Sequence, residues 1–158
     1  MIRRAALALL LAAALPGTAA AACTLAPQSA QAEAETLRAV NAARADAGAA
    51  PLTLDPRVTA AARRQACDIA AMGQLTHRGR DGSNVMGRLR AAGYPPRYAS
   101  ENAGAGLRSA AEAVAAWLGS PPHRKNMLNP NARHMGLGVV PTGGNLRTVW
   151  VLALAAGG

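Results

Sequence analysis

Three short polar segments hold the residues that can do chemistry. Thr76-His77-Arg78-Gly79-Arg80-Asp81-Gly82 and Ser120–Leu128 each place a histidine in a turn-rich stretch. Between them, Ser100–Gly106 sets Glu101 beside glycine-rich backbone. One histidine alone is a weak signal, but two in loops with a carboxylate between them form a site candidate. Two neutral imidazoles and a carboxylate can ligate zinc and leave a position open to water. Metal would lower the pKa of that water enough for hydrolysis. Without metal, Glu101 can orient one histidine as a general base. No serine or cysteine nucleophile stands out, since Cys67 falls in a helical pattern and Ser120 caps the Pro121 turn. The plainer alternative is that His77, Glu101 and His123 hydrogen-bond one another and brace the fold.

The elements that must position these residues can be read from periodicity and caps. Ala32–Ala47 is a predicted helix with an apolar stripe through Leu37 and Val40, stopped at Gly48. Pro51–Leu54 reads as a linker. Asp55 is a good N-cap with Pro56 at the first helical position, so a second helix is expected to run to Met72 before Gly73. A loop follows from Leu75 to Asp81, then a third helix from Ser83 to Ala92. Tyr98–Ala103 reads as a short strand. Ser109 and Glu112 form a capping box that opens a fourth helix. Pro121–Leu128 is a short helix or turn. Met135–Pro141 and Leu146–Leu154 are apolar strands joined as a hairpin through Thr142–Asn145. Helices followed by strands indicate an α+β fold.

The chain has 158 residues, the length of one domain. Its first 22 residues have the form of a secretory signal peptide: Arg3 and Arg4, an apolar core from Ala5 to Leu15, then Pro16, Gly17 and small residues. Residues 23–158 would then be the mature domain, secreted or periplasmic. The apolar core is too short to span a bilayer. Export favours a Cys23–Cys67 disulfide, which on the chain-entropy argument would contribute roughly 4 kcal/mol. The alternative is lipidation of Cys23, although Ala20-Ala21-Ala22 lacks the leucine usual three residues before a lipidated cysteine.

Seventeen basic and eight acidic residues give a net charge of +9, which becomes +7 without Arg3 and Arg4. Arg78, Arg80, Arg88, Arg90 and Arg97 crowd one stretch, and Arg124, Lys125 and Arg133 another. They form either a basic rim for anionic envelope lipid or polysaccharide or a merely solvated face. No aromatic platform for stacking bases is present, so a nucleic-acid partner is not expected.

Taken in order, a longer set of residues resembles the CAP superfamily, the cysteine-rich secretory, antigen 5 and pathogenesis-related 1 proteins, in its short bacterial SCP-like form. They are Val40-Asn41-Ala42-Ala43-Arg44, Pro51–Asp55, Thr76-His77 with Asp81-Gly82, Arg88, Gly93-Tyr94 and Glu101–Gly104. Trp117 with Ser120–Leu128, Gly136–Val139 and Thr148–Val151 complete it. The resemblance implies a three-layer α-β-α sandwich with a small antiparallel sheet. It also implies an open cleft in which His77, Glu101 and His123 belong to one cluster. Relatives often carry a second Glu just after the Trp of the fourth helix, but here Leu118-Gly119-Ser120 follows Trp117. Asp81 and Glu112 are the candidates to replace it.

Two classes of function follow. One is a binding module, expected to be monomeric, for an envelope or extracellular lipid, polysaccharide or protein. The other is a metal-assisted hydrolase of the periplasm or extracellular space, with zinc on His77, His123 and Glu101. Asn41 and Arg44, at i and i+3, are expected to tie helix to loop, and Asn102 to secure a turn. Trp117 and Trp150 are expected in the core. Tyr94 and Tyr98 either rim the cleft or pack. His134 is expected at the surface, with a third metal ligand as its other possible role.

Overall fold

The computed structural model describes residues 23–157. The predicted signal peptide lies outside the described residues. The elements run α1 (Ser29–Asp46), β1 (Thr53–Leu54), α2 (Pro56–Met72), α3 (Val85–Ala91) and β2 (Pro96–Ala105), then α4 (Ala110–Gly119), α5 (Pro121–Met127), β3 (His134–Pro141) and β4 (Thr148–Gly157). The strands form one sheet in the order β1-β3-β4-β2. β3 and β2 flank β4 and are antiparallel to it. The stretch expected to be a linker contributes β1, which pairs parallel to β3 through Thr53–His134 and Leu54–Met135.

The period-2 alternation of β4 separates two apolar layers. Trp150, Leu152 and Leu154 face one side with Leu137 and Val139 of β3 and with Val40, Ala113, Val114 and Trp117 of α1 and α4. Val149, Val151, Ala153 and Ala155 face the other with Val58, Ala62, Ala66 and Ile69 of α2 and Leu89 of α3. The result is the expected α-β-α sandwich. Both tryptophans are in its core. Helix α2 reaches the sheet closely because β3 presents glycines to it. A Cβ on Gly136 would collide with the Thr59 backbone, and one on Gly138 would lie 2.6 Å from the Ala62 carbonyl oxygen.

The caps set the boundaries. Asp55 accepts the Arg57 N–H at the start of α2, and Gly73 closes the helix with φ 64. Asn84, not Ser83, caps α3, so that helix starts two residues later than expected. β2 is longer than the predicted strand at both ends, because it pairs with β4 from Pro96 to Ala105. Cys23 and Cys67 form a disulfide with a Cα–Cα distance of 5.7 Å. It ties the described N-terminus to α2 and uses the sulfur that an acyl anchor would need. No helix among the described residues is long and apolar enough to cross a membrane.

Candidate functional site

β2 is an edge strand, and two adjacent residues of it point to opposite faces. Glu101 shares the parity of Ala103, which packs with the α2–α3 layer. Asn102, one residue on, turns towards α4 and α5. Both are buried. The site is therefore assembled around one edge of the sheet, from one face by the α2–α3 loop and α3, from the other by α5.

On the first face Glu101 is fully engaged. His77 Nδ1 lies 2.9 Å from its Oε1, and Arg88 Nη2 donates to its Oε2 at 2.6 Å. Arg88 is 1% exposed, and its Nη1 donates to the Ser83 carbonyl at 2.8 Å. Arg88 thus leaves the expected basic rim and becomes the counter-charge of the buried carboxylate. A buried carboxylate needs such a partner, because an unpaired one is strongly disfavoured. The His77 side chain is 60% exposed, so its Nε2 edge is the part of the triad that solvent and ligands can meet. Its hydrogen bond to Glu101 raises its pKa above 6.5, with burial and the Arg88 charge opposing.

On the second face Asn102 donates to the His123 carbonyl at 3.0 Å. Asn126 donates to the Asn102 side-chain oxygen at 2.9 Å and to the Glu101 carbonyl at 3.3 Å. Asn102 was expected to secure a turn. It instead sits mid-strand and fixes α5 against β2. Arg44 holds the far end of α5: its Nη1 donates to the Met127 carbonyl at 2.7 Å and to Asn129 at 3.0 Å. Its Nε bonds the Ala50 carbonyl, and Asn41 bonds Leu52 through both its amide groups. This is the helix-to-loop role expected of the pair. Half-buried His123 has its pKa lowered, by burial first and then by the charge of His77.

Neither proposed replacement carboxylate joins them. Asp81 is held by Arg64 at 2.6 Å and by the Ser83 N–H, and Glu112 accepts from Arg108. Among the described residues no group of three or more His, Cys, Asp or Glu side chains is arranged to hold a metal ion. Both oxygens of Glu101 are committed, so it suits the task of orienting His77, as a carboxylate behind an imidazole does.

His134 is not an incidental surface residue. It opens β3, is half-buried, and its Nδ1 shares a 2.7 Å hydrogen bond with the Tyr94 hydroxyl. Tyr94 is core, at 1% exposure, and so does not rim the cleft. Tyr98 packs, partly buried, against the α1–α4 layer. Apart from the histidine cluster, a cavity of about 400 Å³ lies between the N-terminal turns of α1 and α4, with Gln31, Glu35, Leu107 and Trp150 among its lining. In the sequence, Arg88 stands in a run of arginines and among the residues of the CAP resemblance, but is not marked as the partner of Glu101.

The family model for the cysteine-rich secretory protein family, CAP, matches residues 37–154. The chain is 33% identical over 121 residues to "Uncharacterized protein YkwD" of Bacillus subtilis (strain 168), covering 76% of this chain and 47% of that protein. It therefore spans about half the length of this curated relative. Among solved structures it is similar to an outer surface protein of Borrelia burgdorferi. The TM-score is 0.76 at 17% identity, covering 87% of this chain and 100% of that one. It is also similar to an extracellular protein containing an SCP domain from Bacillus anthracis str. Ames. There the TM-score is 0.70 at 22% identity, covering 85% and 45%.

Proposed function

Starting from the fact that this chain belongs to the cysteine-rich secretory protein (CAP) family, we propose that it is a secreted or periplasmic binding module. Its recognition surface is the His77–His123 cleft, and its ligand is a component of the envelope or the extracellular space. The observation that carries this reading is the full engagement of Glu101 by His77 and Arg88. A carboxylate with both oxygens bonded and 7% exposure supports a bracing role for Glu101. It holds His77 in one orientation and leaves its Nε2 edge outward. A preorganised imidazole edge suits ligand recognition, because little ordering entropy is lost on binding. Export is supported by the disulfide and by the similarity to a protein described as extracellular.

The hydrolase alternative is tested by the same experiment. Zinc is titrated calorimetrically into the mature, chelator-stripped protein, with His77→Ala and His123→Ala alongside. Ester and peptide hydrolysis is then assayed with and without metal. The binding-module reading expects no micromolar zinc site and no turnover. Zinc binding lost in both variants, together with metal-dependent turnover lost in both, would replace it with the hydrolase.

A further inference from the structure

Helix α3 carries two arginines with opposite fates. Arg88 is buried against Glu101. Arg90, two residues on, points to the other side of the helix, as the 3.6-residue period requires, and is exposed. Arg97, also exposed, opens β2. The turn between them places both residues in the wall of one shallow groove. Adjoining hollows of about 280 and 310 Å³ share Arg90 and Pro95. One also has Pro96 and Arg97 in its wall, the other Gly93 and Tyr94.

The groove is rigid where it needs to be. Gly93 adopts φ 78, and its N–H bonds the Arg90 carbonyl at 3.0 Å. The Tyr94 N–H bonds the Leu89 carbonyl at 2.9 Å. The Tyr94 ring is buried and its hydroxyl is held by His134. Pro95 and Pro96 fix their own φ angles and offer no N–H, so donors to a ligand come from the guanidinium groups.

The charge here is uncompensated. Among the described residues no carboxylate lies in ion-pair range of Arg90 or Arg97. The nearby Arg57, over the Tyr94 ring, is already neutralised by Asp55 at 2.7 Å. Two unpaired guanidinium groups on one groove match a dianion better than a single carboxylate. A phosphate monoester carries roughly −1.5 to −2 at neutral pH and offers three acceptor oxygens, and arginine meets such oxygens in forked pairs.

We propose that the Arg90–Arg97 groove is an anion site for a phosphate monoester, separate from the histidine cleft. Free phosphate and a phosphorylated lipid headgroup present the same chemistry. The test is amide NMR on the full mature protein, at constant ionic strength, with two probes. One is inorganic phosphate against chloride. The other is vesicles of phosphatidic acid in phosphatidylcholine against phosphatidylcholine alone. Shifts or broadening are expected at residues 90–97. Arg90→Ala and Arg97→Ala should each weaken binding about tenfold or more, the loss of one charged hydrogen-bonding partner. Arg38→Ala, which removes an equal charge from an exposed position on α1, should leave binding unchanged. Response to free phosphate supports a soluble ligand, and response to the vesicles alone supports a headgroup. No response at residues 90–97 to either probe overturns the proposal. So does equal weakening by Arg38→Ala, which would mean attraction to net charge only.

Discussion

Two histidines in this molecule each share a hydrogen bond through Nδ1 with a buried partner, and they differ in what that partner is. His77 meets the carboxylate of Glu101 at 2.9 Å. His134 meets the hydroxyl of Tyr94 at 2.7 Å. Each also has an arginine behind the partner. Arg88 is wholly buried and bonded to Glu101 itself. Arg57 is about half exposed, lies over the Tyr94 ring, and gives its charge to Asp55 instead. The first arrangement is ionic and collapses if one member leaves. The second is a phenol–imidazole hydrogen bond, and each part can be removed separately. The ionic triad lies at the edge of the sheet and is the candidate site. A phenol–imidazole pair at the end of a strand tightens a core.

The sharpest way to break the contrast is Arg88→Ala. It leaves the Glu101 carboxylate buried beside His77 alone, and stability should fall by about 3–5 kcal/mol. Urea unfolding at neutral pH would show this as a lower midpoint, and a change under about 1 kcal/mol would mean that water already screens the pair. Next comes Asn102→Ala, which strips the His123 carbonyl and Asn126 of buried partners. The expected cost is about 1–3 kcal/mol, with amide shifts concentrated in α5. Tyr94→Phe keeps the ring and removes only the hydroxyl. About 1 kcal/mol should be lost, and the His77 titration should not move.

The pH dependence sharpens the comparison within the cleft itself. His77 has a raised pKa in the fold, so its contribution is complete below the ordinary histidine value. It is lost as pH rises through the raised one. His123 is shifted down, so the fold disfavours its charged form and acidification through that range costs stability. Histidine NMR titration should place the His77 midpoint above that of His123, and Glu101→Gln should bring His77 down towards 6.5. Coincident midpoints would mean that neither the Glu101 bond nor burial shifts the two rings apart. The smallest effect belongs to Arg64→Ala, which removes an exposed ion pair with Asp81. The unfolding midpoint should be unchanged.

Much of this architecture was legible in particular residues. Asp55-Pro56 and Gly73 bracket α2 because a cap side chain, a fixed φ and a left-handed stop are local properties. The motif residues around His77, Glu101 and His123 indicated a shared site, and the resemblance carried the sandwich. Other features were not legible because their causes are distant in the chain. Thr53–Leu54 is a strand only because β3 lies beside it, and two residues have no periodicity to read. Gly136 and Gly138 matched a motif, but the backbone of α2 shows why no Cβ is tolerated there. His134 looked incidental because its partner is 40 residues away in the sequence.

The sequence alone determined what local physics can determine: the caps of α2 and α4, the apolar character of β3 and β4, and which residue types could form a site. The tertiary structure decided the pairings. It chose Arg88 over its neighbours as the partner of Glu101, turned Asn102 from a turn residue into the anchor of α5, and put Tyr94 in the core. It also placed Arg90 and Arg97 along one groove with no counter-charge among the described residues. Burial and charge pairing depend on which surfaces meet. That is a property of packed elements, and no local window of sequence contains it.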